Sequence, residues 1–219
     1  MTAQIKRQGL TRERILLGAI ALADEIGIEA LTIRRLATAL EVKPMAIYHH
    51  ITSKDEIIDG MVDVIFAEID LPPTDLEWTA AIRVRSLSLR AVLDRHPWAP
   101  PLMESREMPG PAALRHHDAV LGCFLRGGLS YELTAHAYAV IDSYLYGFAL
   151  QEAYLPGDGG EDIADLAEDM VETTMADYPS LAAFTSDHVL KPGYAFGNSF
   201  EFGLDLIIGG IAQAADQAA

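Results

Sequence analysis

The chain has 219 residues, half of them hydrophobic, with a formal net charge of −16 at pH 7, a content sufficient to bury a sizeable globular core. A single cysteine, Cys123, excludes an internal disulfide and reads as a buried packing residue in a chain that needs no oxidising compartment. The start, MTAQIKRQGLTRER, has no apolar stretch behind its basic residues, and the longest apolar run, Ile15 to Ala23, is too short to cross a bilayer, so a cytoplasmic chain without export or membrane anchoring is expected.

In chain order, apolar residues at Ile15, Ala19, Leu22 and Ile26 follow a 3.6-residue period between Thr11 as N-cap and Gly27 as stop, which predicts a first amphipathic helix. Thr32 caps a second short helix, Ile33 to Leu40, and Pro44 suits the first turn of a third. Ser53 to Glu56 reads as a capping box opening a fourth, whose buried side comprises Ile57, Ile58, Met61, Val62, Ile65, Phe66 and Ile69 and which ends at Leu71, Pro72 and Pro73. Beyond that boundary the pattern stays helical over Leu76 to His96, Ala112 to Arg126, Tyr131 to Leu155 and Phe200 to Ala215. These are separated by a proline-broken stretch, by the pair Gly127 and Gly128, and by a loop from Tyr178 to about Asn198. The acidic run Glu161 to Asp177 reads as a solvated face. No strand alternation and no repeat is present, so the fold class expected is all-α.

The charge is unevenly distributed. Residues 1–58 carry eight Lys and Arg against seven Asp and Glu, leaving a net of −17 on the rest of the chain. A near-neutral head on an acidic body means that the overall charge says little about what the head binds. Two short helices meeting through a tight turn, the second carrying basic, hydroxyl and aromatic neighbours, form the layout that places one helix in the major groove of DNA. Ile47 faces the core, which leaves Met45, Ala46, His49 and His50 for base edges and Lys43 and Tyr48 for the backbone. Ala46 or Met45 suits a thymine methyl, and His49 suits a base edge. Thr32, Arg34 and Lys54 lie at helix starts, where a phosphate is favoured by the helix dipole.

The segment LTIRRLATALEVKPMAIYHHITSKDEI, with its pattern T-x-R-x-L-A-x-x-L-x-V followed by x-Y-x-H-x-x-x-K, resembles the DNA-binding domain of the tetracycline-repressor (TetR) family of transcriptional regulators. RHPWAPPLMESR, SYLYGFALQE and FEFGLDLIIGGI are similar to the C-terminal sensing domain of the same branch. The resemblance implies an N-terminal three-helix helix-turn-helix domain, 1–58, joined by a long helix to a larger ligand-binding and dimerisation domain, 59–219. It also implies a homodimer that reads a palindromic double-stranded operator and is released by a small-molecule effector. Carried over by position, the DNA-touching sites are Thr32, Arg34, Pro44, Met45, Ala46, Tyr48, His49, His50 and Lys54. Glu41 departs from the pattern, standing where the family usually has a turn Gly; it calls for a positive φ and brings negative charge towards DNA, which the arm bases Lys6, Arg7, Arg12 and Arg14 would offset.

In the sensing half, Glu104 and Val120 replace the His and Gln that would take metal and drug in the tetracycline sensor, so neither a metal nor a cofactor is expected and the effector class stays open. Tyr138, Asp142 and Tyr146 lie at i, i+4 and i+8 on one helix, and Asp142, an acid in an apolar run, needs a protein, water or ligand partner. With Met103, Glu104, Met108, Val120 and Phe124 these are the ligand-pocket candidates, a mostly apolar wall with few polar groups. Phe202, Leu206, Ile207 and Ile211 form an apolar stripe on the last helix, where Gly203, Gly209 and Gly210 permit close helix approach and, by resemblance, dimerisation. Two other readings remain. An enzyme would need a phosphate loop, an H-E-x-x-H or a similar motif, and none is present. A helical ligand-binding protein with a vestigial reading head draws its support from Glu41.

Overall fold

The computed structural model describes residues 9–155, 167–168 and 175–218. Among these residues the fold is helical without strands: α1 Arg12–Ile26, α2 Ile33–Ala39, α3 Pro44–Tyr48, α4 Lys54–Glu68, α5 Trp78–Arg95, α6 Ala99–Ser105, α7 Pro111–Arg126, α8 Tyr131–Ala153, α9 Pro179–Phe184 and α10 Ser199–Ala218. The chain forms two compact units, Met1–Pro72 with Leu87–Gly122 and Pro73–Ser86 with Cys123–Ala219. Lys6, Arg7 and most of the acidic run lie outside the described residues.

In the first unit the helix starts follow from local chemistry. The hydroxyls of Thr11, Thr32 and Ser53 accept from the backbone N–H of Arg14, Arg35 and Glu56 at 3.1, 3.2 and 3.1 Å, each satisfying a donor that the helix itself leaves orphaned. The capping box differs from expectation in its return bond. The Glu56 carboxylate accepts from both the N–H and the hydroxyl of Thr52, each at 2.8 Å. The Thr52 backbone bond, then its hydroxyl bond, with a smaller contribution from Arg12, holds the Glu56 carboxyl below the ordinary range.

The α1 stripe is also rotated from its predicted position: Leu16, Ile20 and Ala23 are buried with Ile15 and Ala19, whereas Leu22 and Ile26 are half-buried. Two glycines cause this. A Cβ on Gly60 of α4 would stand 2.6 Å from Leu16, and one on Gly18 of α1 would stand 2.7 Å from Leu40, so the helices close at these two points.

The last turns of α1 and α4 are tied to the corner after α5. Asp24 Oδ1 accepts from Trp98 Nε1 at 2.7 Å and lies 2.7 Å from His96 Nδ1, while Glu68 pairs with Arg95 at 2.7 Å. Further along α4, Asp63 Oδ1 accepts from the N–H groups of Ala112 and Ala113 at 2.7 and 3.1 Å, capping α7 from another helix. Gly110 makes room for that carboxylate, since a Cβ there would overlap the Asp63 side chain.

In the second unit α8 packs on α10. Phe200, Leu204, Ile208 and Ile211 of α10 are buried, and the Tyr144 hydroxyl donates to Phe200 O at 2.9 Å across Gly203, which has no side chain to block it. Cys123 is buried, and that burial pushes its thiol pKa up, in keeping with a packing role. The segment expected as an uninterrupted loop after Tyr178 instead holds α9 and a π-helical turn, Thr185–Val189, because Pro179 supplies a helix start that the sequence pattern is too short to reveal.

Replacing Asp63 with Ala is expected to lower stability by about 0.5–2 kcal/mol, the usual value of a helix cap, read as a lower urea midpoint at unchanged slope. An unchanged midpoint would show that α7 needs no cap from α4.

Candidate functional site

The turn between α2 and α3 closes through two backbone bonds, Val42 N–H to Ala37 O at 2.9 Å and Glu41 N–H to Thr38 O at 3.1 Å. This 6→1 and 5→2 pairing is the Schellman ending, which demands a left-handed residue just past the cap. That residue is Glu41, at φ 56, the one non-glycine positive φ among the described residues. Arg14 Nη2 donates to Leu40 O at 3.1 Å and so fastens the end of α2 to α1. Arg14 is therefore committed to the fold, and Arg12 lies 3.7 Å from Glu56, leaving less of the arm charge for DNA than the sequence suggests.

α3 has five residues and starts at Pro44, whose ring fixes the first helical φ. Its one buried side chain is Ile47, 0% exposed, and Ile51 just beyond the helix is buried too. Opposite them Met45 is 67% exposed, Lys43, Pro44, Tyr48, His49 and His50 are exposed, and Ala46 is half-buried. Thr32 and Arg34 are exposed at the start of α2 and Lys54 at the start of α4. Among the described residues none of Arg34, Lys43 and Lys54 is held in an ion pair. The ten expected DNA-contacting residues thus lie in one unit, nine on its surface, with three uncommitted cations.

The eight ligand-pocket candidates divide between the units. Met103, Glu104, Met108 and Val120 belong to the first, and Phe124, Tyr138, Asp142 and Tyr146 to the second. Of these, Met103 and Met108 line a common cavity of about 180 Å³ in the first unit, together with Val62, Phe66, Arg106 and His117. Glu104 is exposed on α6 and Val120 is buried in α7. In the second unit Phe124 is buried against Trp78, ring centroids 5.8 Å apart, Tyr146 is buried and Tyr138 half-buried.

Asp142 has a protein partner: Arg85 Nη1 donates to its Oδ1 at 2.9 Å, and the Arg85 side chain is 1% exposed. A charge so deeply placed requires a counter-charge. Arg85 was missed by the sequence reading, although it interrupts the buried stripe Ala81, Ile82, Ser86 and Leu89 of α5, which is the signal that identifies it. The buried Ser86 hydroxyl in the same unit has no partner among the described residues.

Comparison with known proteins agrees with these features. The family description "Bacterial regulatory proteins, tetR family" matches residues 15–61, and "Tetracyclin repressor-like, C-terminal domain" matches residues 71–215. The chain is 28% identical over 208 residues to an HTH-type transcriptional regulator of Saccharopolyspora erythraea, covering 94% of this chain and 86% of the relative. It is 29% identical over 215 residues to the HTH-type transcriptional repressor DrrR1 of Streptomyces coeruleorubidus, covering 92% and 77%. The TetR family protein ActR of Streptomyces coelicolor, solved in complex with (S)-DNPA, superposes with a TM-score of 0.73 at 25% identity, covering 94% of this chain and 99% of that one. With the head matched over 15–61 and the body over 71–215, the chain belongs to the tetR family of bacterial regulatory proteins.

Proposed function

We propose that the chain is a ligand-responsive, DNA-binding transcriptional regulator, a cytoplasmic repressor rather than an enzyme. Residues 1–58 are its reading head and 59–219 its sensing and dimerisation part. The observation that carries this is the outward face of α3. A helix of five residues is far below the length that is stable alone. It exists because Ile47 anchors it, and the opposite side is left free for a groove. Lys43, Tyr48 and Lys54 would take phosphates and Met45, Ala46 and His49 base edges. The relative DrrR1 is a repressor by name, which supports the sign of regulation, and ActR with (S)-DNPA supports a ligand-responsive body.

A second copy of the chain is part of the proposal. α10 is apolar on two faces: one packs within its own unit, while on the other Phe202 is 70% and Leu206 61% exposed. A groove of about 280 Å³ between α8 and α10, lined by Leu133, Ala137, Val140, Leu206 and Ile207, continues that face. Gly209 and Gly210 leave the surface open, so two such faces can close on each other as an isologous pair. Dimerisation then fixes the distance between two α3 helices, and an effector that prefers one dimer shape lowers operator affinity.

Fluorescence anisotropy of the full chain on duplexes from the DNA upstream of its own gene tests the reading head. Binding is expected to fall steeply with salt, and Lys43→Ala or Lys54→Ala, each removing one phosphate contact per protomer, should reduce the slope of the dimer by about 2 while weakening all sequences alike. His49→Ala should instead relax preference at a symmetric pair of positions, by about 1–3 kcal/mol each. No salt-dependent binding to any palindrome there would exclude the regulator reading. Glu41→Gly should relieve about 1 kcal/mol of left-handed strain and tighten DNA binding by removing a negative charge. A gain in stability with no DNA binding before or after would favour the vestigial head. Leu206→Glu is expected to yield monomers in sedimentation velocity; a dimer that survives it would place the interface elsewhere.

A further inference from the structure

Three helices of the first unit converge on the ring of His96, which follows α5 and whose side chain is 8% exposed. Its Nδ1 lies 2.7 Å from Asp24 Oδ1 in the last turn of α1, and its Nε2 lies 3.4 Å from Oε2 of Glu68, the last residue of α4. These two carboxylates, with Arg95 against Glu68 at 2.7 Å, are the charged groups that the structure places at the ring, and Asp24 Oδ1 also accepts from Trp98 Nε1.

The donor count separates the two states of the ring. An ionised carboxylate only accepts, and a neutral imidazole has one N–H, so a neutral His96 serves one of its partners and turns a lone pair towards the other. An imidazolium donates to both. With the ring charged, Asp24, Glu68, Arg95 and His96 together are neutral, and without that proton one negative charge is left over.

The two carboxylates belong to helices that already meet at one point. Leu16 of α1 closes on Gly60 of α4, and Asp24 and Glu68 lie about two turns further along their helices. One close approach acts as a pivot; a second tie two turns away fixes the angle about it. α1 in turn holds the turn before α3, through Arg14 on Leu40 O and Gly18 against Leu40, and α4 begins at Lys54.

We propose that His96 is a positioning residue for DNA reading. As an imidazolium it bridges Asp24 and Glu68 and fixes the angle between α1 and α4. When Nε2 gives its proton to water, Nδ1–H keeps the shorter bond to Asp24, the longer contact to Glu68 opens, and the tie between the two helix ends is lost. Operator affinity therefore falls as pH rises through the range in which histidine changes charge. The inference deepens the regulator reading, on which it rests for the consequence at DNA.

The test follows the ring first and DNA second, in the full chain at fixed salt from about pH 6 to 8. In the ¹⁵N-labelled chain at about pH 6 both ring nitrogens of His96 should carry protons, the ring being assigned through that of Trp98, 6.0 Å away. The indole N–H of Trp98, which shares Asp24 with His96, should shift between the two ends of the series, and that of Trp78 should not. On duplexes from the DNA upstream of its own gene, affinity should fall about tenfold more across the series than in His96→Gln, as when nine-tenths of the chains leave the competent arrangement. The comparison removes the contribution of His49 and His50, which both proteins share. Glu68→Gln supplies a second variant: its amide donates to the Nε2 of a neutral ring, so this excess should vanish with affinity retained. A ring with a single N–H at the acid end, a Trp98 indole indifferent to pH, an equal pH dependence in wild type and folded His96→Gln, or an excess that persists in Glu68→Gln would each overturn the proposal, and the first two need no variant to fold. A chain with a doubly protonated ring that binds no duplex keeps the bridge and loses the regulator reading with the role at DNA, whereas one that binds DNA identically with and without His96 keeps the regulator reading and loses the role.

Discussion

The burial of Ile47 is the constraint on which the reading surface depends. α3 is too short to hold its own backbone hydrogen bonds against water, so its existence and its orientation both come from one apolar side chain inserted into the core of the first unit, with Ile51 following it. Burying each is worth about 1.5–3 kcal/mol, comparable to the backbone cost of ordering one or two residues. Because Ile47 points inward, Met45, Tyr48 and His49 have nowhere to go but outward. The same constraint is enforced from the turn. The Schellman bonds of Glu41 and Val42 and the bond from Arg14 to Leu40 fix where α3 begins.

That turn is where stability and function conflict. A left-handed Glu costs more than a Gly would, and its exposed carboxylate adds a negative charge to the turn that precedes α3. Local consistency breaks down most readily at functional or strained positions, and Glu41 is the one place in the head where it does. Elsewhere the head is locally consistent: hydroxyl caps, a helix-starting proline and a buried stripe all select the same arrangement.

Features set by neighbours in sequence were legible in the sequence. The caps Thr11, Thr32 and Ser53, the N1 proline Pro44, the stop at Gly27 and the positive φ at Glu41 each depend on a few adjacent residues, and each stands as expected. What escaped was set by residues distant in the chain. The rotation of the α1 stripe follows from the contacts of Gly18 with Leu40 and of Gly60 with Leu16, the cap on α7 comes from Asp63, and the partner of Asp142 is Arg85 on another helix. A periodicity argument registers that Asp142 needs a partner but not which one, because the pairing lies in tertiary packing. The ligand candidates suffered most for the same reason: helical spacing put Tyr138, Asp142 and Tyr146 on one stripe, yet of the eight candidates it is Met103 and Met108 that line a described cavity together.

The central claim is that the exposed face of α3, paired across a two-fold axis, reads sequence. Selection of duplexes by the full chain from a random pool, followed by sequencing, tests it most directly. The enriched sites should be inverted repeats whose half-site centres lie about one helical turn, roughly 10 base pairs, or a multiple of it apart, as two copies of one reading helix require. A pool that shows no enrichment, or one that enriches a single asymmetric element, would contradict it.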